Sequence, residues 1–104
     1  MVEGNVTYDF LPNVDLKAYS AWAKRTIEAM MKAPGLIEFR AHRGLMAPAQ
    51  VRTTTVWQSM AEWATFIEGP WQQMETELRS FATNIKSEVW GPSPVVPEPL
   101  RPGK

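Results

Sequence analysis

The chain alternates between two hydrophobic rhythms. In NVTYDFL, residues 5–11, Val6, Tyr8 and Phe10 alternate with Thr7 and Asp9, the two-residue period of a strand. The following PNVDLKAYSAWAKRTIEAMMKAPG changes step. Leu16, Tyr19, Ala23, Ile27 and Met30 recur at three- and four-residue intervals, with Lys17, Lys24, Glu28 and Lys32 largely opposite. This spacing predicts an amphipathic helix of about five turns. Asn13 or Asp15 can cap its start, and Pro34-Gly35 ends it. LIEFRAHR and VRTTTVWQ read as two strands joined by the short loop GLMAPA. Ser59 and Glu62 form a capping box that opens a second helix, with Met60, Trp63, Phe66 and Ile67 as its apolar stripe. Gly69-Pro70 interrupts this helix, since proline has no donor for the next turn. The stripe then resumes as Trp71, Met74, Leu78 and Phe81. A last strand, NIKSEVW, sets Ile85, Ser87 and Val89 against Lys86, Glu88 and Trp90.

The element order β-α-β-β-α-β predicts an α+β, ferredoxin-like fold: a four-stranded antiparallel sheet with two helices on one face. Residues 1–91 make a single domain, and the proline-rich segment 92–104 forms an extended tail. Pairing the middle strands with His42 opposite Arg52 sorts the side chains by parity. One face carries Val6, Tyr8, Phe10, Ile37, Phe39, Ala41, Thr53, Thr55, Trp57, Ile85 and Val89. The other carries Asp9, Glu38, Arg40, His42, Arg52, Val56, Lys86, Glu88 and Trp90. Only the first is apolar enough to receive the helices. The second mixes both charge signs with apolar groups, and a second copy of the chain could cover it through Glu38, Arg40, His42, Arg52 and Trp90. The alternative is a polar face left in water.

Composition narrows the functional classes. With 104 residues there is room for one core. Eleven lysines and arginines balance eleven aspartates and glutamates, so there is no basic footprint for nucleic acid. Cysteine is absent and His42 is the only histidine. Neither a disulfide framework nor a multi-histidine zinc site within one chain is expected. No signal peptide and no membrane-crossing apolar run is visible. The expectation is a soluble, cytoplasmic domain without a metal or cofactor.

Candidate chemistry centres on aromatic residues. Trp57 belongs to the helix-facing side of the sheet and Trp63 to the stripe packed on it, so two indoles could sandwich a planar aromatic ligand. Both could equally be core. Trp71 follows the Gly-Pro break, where the mouth of a cleft could open, and Phe39 and Phe66 share the same apolar space. Tyr8 is the best polar group on this face, and Thr55 adds a weak donor. Trp22 lies off the centre of its helix's stripe and can cap the edge of the core or meet a partner. Asn5 and Tyr8 could bind a substrate oxygen. His42 is the natural general base by residue type, but parity puts it on the polar face.

Over nearly its whole length, up to about Trp90, the chain resembles the antibiotic biosynthesis monooxygenase-like family of dimeric α/β barrels. The resemblance rests on Pro34-Gly35-Leu36-Ile37-Glu38-Phe39 entering the second strand and Val56-Trp57-Gln58-Ser59 leaving the third. AEWATFIEGPW adds to it, a short helix followed by a small residue, proline and an aromatic. The resemblance implies two ferredoxin-like subunits packed sheet to sheet, each with a cleft between sheet and helices. Some members oxidise polycyclic aromatics with oxygen and no cofactor, and others degrade haem. Of the residues the haem-degrading branch carries, Asn5 matches. Phe66 stands where that branch has tryptophan, and Glu75 stands near its iron-ligating histidine, so haem degradation is not expected. The expected function is cofactor-independent monooxygenation of a phenol- or quinol-type molecule, an oxidoreductase reaction. The alternative is a non-catalytic binding or dimerisation protein of the same fold.

Overall fold

The computed structural model describes residues 1–103. Seven elements follow in order: β1 (Val2–Phe10), α1 (Leu16–Met30), β2 (Leu36–Arg43), β3 (Gln50–Trp57), α2 (Met60–Glu68), α3 (Pro70–Leu78) and β4 (Ala82–Trp90). The strands form one antiparallel sheet in the order β2-β3-β1-β4, the ferredoxin-like arrangement. His42 pairs with Arg52, so the register inferred from side-chain parity holds across the middle hairpin.

Local chemistry sets the element ends. Asp15 is the cap of α1, accepting the backbone N–H groups of Lys17 and Ala18 at 3.1 and 3.0 Å. The helix has 15 residues, about four turns rather than the five expected, because its last turn gives way at Met31. Gly35, at φ 84°, then turns the chain into β2, a conformation that favours glycine. Ser59 caps α2 by accepting the Glu62 amide at 3.3 Å. The Glu62 carboxylate in turn accepts the Ser59 hydroxyl at 3.1 Å. Gly69-Pro70 divides the second helical segment completely: Gly69 has φ −114° and ψ −105°, and Pro70 opens α3. Among the described residues there are three helices, not two.

The core lies between the sheet and the helices. Tyr8, Met30, Trp57, Phe66, Trp71, Met74, Leu78 and Ala82 are its buried residues. Several positions depart from the simple two-period reading. A bulge between Leu36 and Glu38 shifts the start of β2, so Leu36 packs on the core and Ile37 is left 47% exposed. Leu16 and Met60 belong to their helical stripes by spacing but stand at the first turns, half in water. In β4 the pairing with β1 slips between Thr7 and Asp9, and Asn84 takes φ 54° there. β4 also begins earlier than predicted, at Ala82.

Gly4 sits mid-sheet on the helix-facing side, opposite Thr55. A Cβ there would lie 2.8 Å from the Trp63 indole nitrogen. The missing side chain is what lets the indole lie against the sheet.

Candidate active site between helix α1 and the sheet

Tyr8 rises from β1 at the point where β4 slips register, and Tyr19 descends from the second turn of α1. Their hydroxyls meet at 2.5 Å. The two rings belong to an aromatic cluster with Phe10, Trp22 and Phe81. Phe10 and Tyr19 pack edge to face at 4.8 Å, Tyr19 and Phe81 at 5.7 Å, the arrangement that ring quadrupoles favour. Burial, and then the hydrogen bond from Tyr19, raise the Tyr8 phenol above its ordinary range. It is therefore a neutral donor and acceptor, not a phenolate.

A cavity of about 80 Å³ lies beside the pair. Val6, Tyr8, Phe39 and Thr53 from the sheet wall it on one side, and Tyr19, Trp22, Ala23 and Met30 from α1 on the other. Trp71 and Leu78 of α3 close its end. Apart from the phenol pair and the threonines Thr26 and Thr53, the lining is apolar. A second recess of about 20 Å³ lies further along the sheet, bordered by Gly4, Thr55, Trp63, Phe66 and Trp71. Trp71 borders both spaces.

The predicted residues therefore separate into distinct places. Tyr8, Phe39 and Trp71 line the main cavity. Thr55, Trp63 and Phe66 line the smaller recess. Trp57, expected as a pocket wall, borders neither: it is fully buried and tilted against Phe66 at 5.1 Å. Its indole N–H donates to the Thr55 hydroxyl at 2.7 Å, and that hydroxyl reaches the Gly4 carbonyl at 3.3 Å. These bonds satisfy the N–H inside the core and occupy the Thr55 hydroxyl. Asn5 lies within β1, opposite Thr54. It borders the recess, but its side-chain carbonyl accepts the Thr54 hydroxyl at 2.7 Å. His42 is exposed on the opposite face of the sheet, in a shallow depression with Thr7, Gln50 and Arg52. It is separated from the cavity by the sheet, so it cannot serve as a base there.

Tyr19 and Trp22 also line the cavity, though the sequence pattern alone gives neither a site role. Tyr19 sits on the apolar stripe of α1, where a hydroxyl requires a buried partner, and that was the available signal. Trp22 follows one turn later and reaches across to α3. Its indole N–H donates to Glu77 at 2.8 Å. Hydrogen bonds from Gln73 and then Trp22, with help from the Arg25 charge, lower the Glu77 carboxyl below its usual range. Among the described residues, no three His, Cys, Asp or Glu side chains gather as a metal-binding set.

The outer face of the sheet is organised in rows. At one end Trp90, Glu3, Val56 and Glu38 lie side by side, followed by Glu88, Asn5, Thr54 and Arg40. Arg40 joins Glu3 at 3.1 Å and Glu38 at 2.7 Å. The next row holds Lys86, Thr7, Arg52 and His42, and Asp9 beyond it is tied to Asn84 at 3.0 Å. The face thus runs from an acidic end to a basic row, with Trp90 56% exposed at the acidic end.

The α+β, ferredoxin-like fold is shared with solved structures of antibiotic biosynthesis monooxygenase-like proteins. A proposed antibiotic biosynthesis monooxygenase from Deinococcus radiodurans superimposes with a TM-score of 0.77 at 15% identity, covering 100% of both chains. SnoaB, a cofactor-independent oxygenase from Streptomyces nogalater, does so with a TM-score of 0.74 at 14% identity, over 93% of this chain and 97% of its own. A proposed antibiotic biosynthesis monooxygenase from Nitrosomonas europaea gives 0.71 at 13% identity, over 88% and 97%. At these identities the likeness is one of fold. No protein-family model and no curated protein matches the sequence. No helix among the described residues is long and apolar enough to cross a membrane.

Proposed function

We propose that the protein is a cofactor-independent monooxygenase acting on a phenol- or quinol-type aromatic held between α1 and the sheet. The observation that carries this reading is the phenol pair Tyr8–Tyr19 at the edge of an otherwise aromatic and aliphatic cavity. One hydroxyl donates to the other, which leaves one O–H free to point at a ligand oxygen. A donor already polarised by a second phenol is a stronger donor. In a dry cavity it would stabilise negative charge developing on a phenol-type oxygen. The reaction that suits such a site asks little more of the protein. The substrate loses a proton to water, and its anion supplies the electrons to molecular oxygen. One oxygen atom enters the ring system, and the other leaves as water after taking up that proton and the ring hydrogen displaced. The protein excludes solvent and holds the oxyanion. The fold shared with a cofactor-independent oxygenase supports the same reading.

The same proposal includes a homodimer through the outer sheet face, using Glu38, Arg40, His42, Arg52 and Trp90. A two-fold axis near Asn5 and Thr54 would lay the acidic end of one copy over the basic row of the other. That pairs charges which would be costly to bury alone.

Oxygen uptake tests the reading. Metal-free protein is mixed with naphthol- and anthrone-type compounds in an oxygen electrode, beside Tyr8→Phe and Tyr19→Phe. Uptake accelerated by the wild type and slowed by removal of either hydroxyl is the expected result. A folded protein that accelerates nothing across the panel favours the non-catalytic binding reading of the same cavity.

A further inference from the structure

The inner cavity is too small for the ligand it is built to attract. At about 80 Å³ it is roughly half the size of an engineered apolar cavity of about 150 Å³ that takes up benzene. Immediately outside it, between α1 and α3, runs a groove of about 440 Å³. Trp22 and Thr26 line both spaces, so the Trp22 indole forms part of the wall between them. On its inner side the ring leans on Tyr19 at 5.9 Å and Phe81 at 5.8 Å. On its outer side it is held by the single hydrogen bond to Glu77, which Gln73 steadies from the next turn of α3 at 2.9 Å. That bond lies at the surface, where water competes for both partners, so it holds the indole by a modest preference only.

We propose that Trp22 is the gate of a two-part site and Glu77 its latch. When the indole leaves Glu77, cavity and groove become one cleft, deep enough for a fused-ring aromatic. The leading oxygen of the ligand meets the Tyr8–Tyr19 hydroxyls, and its trailing edge lies in the groove beside Arg25 and Gln73. In the latched form the indole keeps the cavity, itself partly open to solvent, apart from the groove. Specificity follows from the same arrangement: the ligand must be flat enough to pass between α1 and α3, and long enough to span both compartments. This inference rests on the cavity being a ligand site, as proposed above, but not on any turnover there.

Gating by a closed form leaves a kinetic signature. If only the open form binds, raising its population increases the association rate and the affinity by the same factor and leaves dissociation unchanged. The probe is 1-naphthol, followed in a stopped-flow instrument by energy transfer from the protein's tryptophans. The proteins are wild type, Glu77→Ala, Trp22→Phe and Glu75→Ala. The last removes the Arg79 partner on the same helix, 3.5 Å away, and leaves the latch alone. Glu77→Ala and Trp22→Phe should both bind about fivefold faster and tighter, the factor expected from losing one exposed hydrogen bond. Glu75→Ala should behave as the wild type. Naphthol binding at equal rates in Glu77→Ala and Glu75→Ala would overturn the gate while leaving the cavity as a ligand site. Absence of naphthol binding in all four proteins would overturn the two-part site together with the cavity reading. Because Glu77→Ala changes an exposed residue, the test survives if Trp22→Phe perturbs the core.

Discussion

Replacing Gly4 with alanine tests how the Trp63 helix is seated on the sheet. The new Cβ would lie 2.8 Å from the Trp63 indole nitrogen, 2.9 Å from its Cδ1 and 3.0 Å from the Thr55 hydroxyl. None of the three can yield freely. The indole is packed against the core, and the Thr55 hydroxyl is held between Trp57 and the Gly4 carbonyl. Overpacking of this kind costs about 1–3 kcal/mol. Alanine returns about 0.4–1 kcal/mol by restricting the unfolded chain. The net expectation is a loss of up to about 2.6 kcal/mol, or a fall in Tm of up to roughly 20 °C for a domain of this size. Thermal and urea melts followed by far-ultraviolet circular dichroism measure it. A Trp63→Ala partner variant completes a double-mutant cycle, and in that background Gly4→Ala should lose most of its cost. A Gly4→Ala protein as stable as the wild type, with no coupling to Trp63, would refute the seating of the indole on a bare backbone.

Three further outcomes follow from the same structure. Thr55→Val keeps the shape of the side chain but strands the fully buried Trp57 N–H, and should destabilise the fold by about 1–3 kcal/mol in a urea melt. For Tyr8 the folded-state pKa is raised above the unfolded value of 10.0. Its contribution to stability is therefore complete below pH 10 and declines as pH rises beyond it. Alkaline titration at 295 nm should find Tyr8 silent until the protein unfolds, and Tyr8→Phe should flatten the loss of stability above pH 10. Arg52→Glu reverses a charge in the basic row of the outer face. In sedimentation velocity the proposed dimer should shift toward monomer, and an unchanged dimer would remove this face as the interface.

Much of the fold was legible because it is written in local rules. The change from a two-residue to a three-and-four-residue rhythm separates β1 from α1, and the Ser59–Glu62 pair and Gly69-Pro70 mark where α2 begins and ends. The His42–Arg52 register could be read because a slip would have turned charged residues toward the helices. Ile37 could not be placed the same way. Its exposure follows from a bulge, and a bulge depends on how β2 meets β3 rather than on the sequence of β2 alone. The site was less legible for a related reason. Trp57, Trp63 and Trp71 have the same chemistry and similar patterning, yet one is sealed in the core, one covers Gly4 and one ends the cavity. Which of these an indole does is decided by tertiary packing. Tyr19 shows the opposite case. Its phenol on an apolar stripe signalled a buried polar contact, but the partner, Tyr8, lies on another element and becomes visible only when α1 is laid on the sheet.

The central claim, that aromatic molecules occupy the space between α1 and the sheet, is tested most directly by filling that space. Ala23 lines the cavity from α1, and Ala23→Leu adds a branched alkyl group to it without removing any wall. Titration calorimetry with 1-naphthol should give saturable binding to the wild type and none to Ala23→Leu, whose melting curve should remain cooperative. Equal binding by the two folded proteins would place the ligand elsewhere and contradict the account.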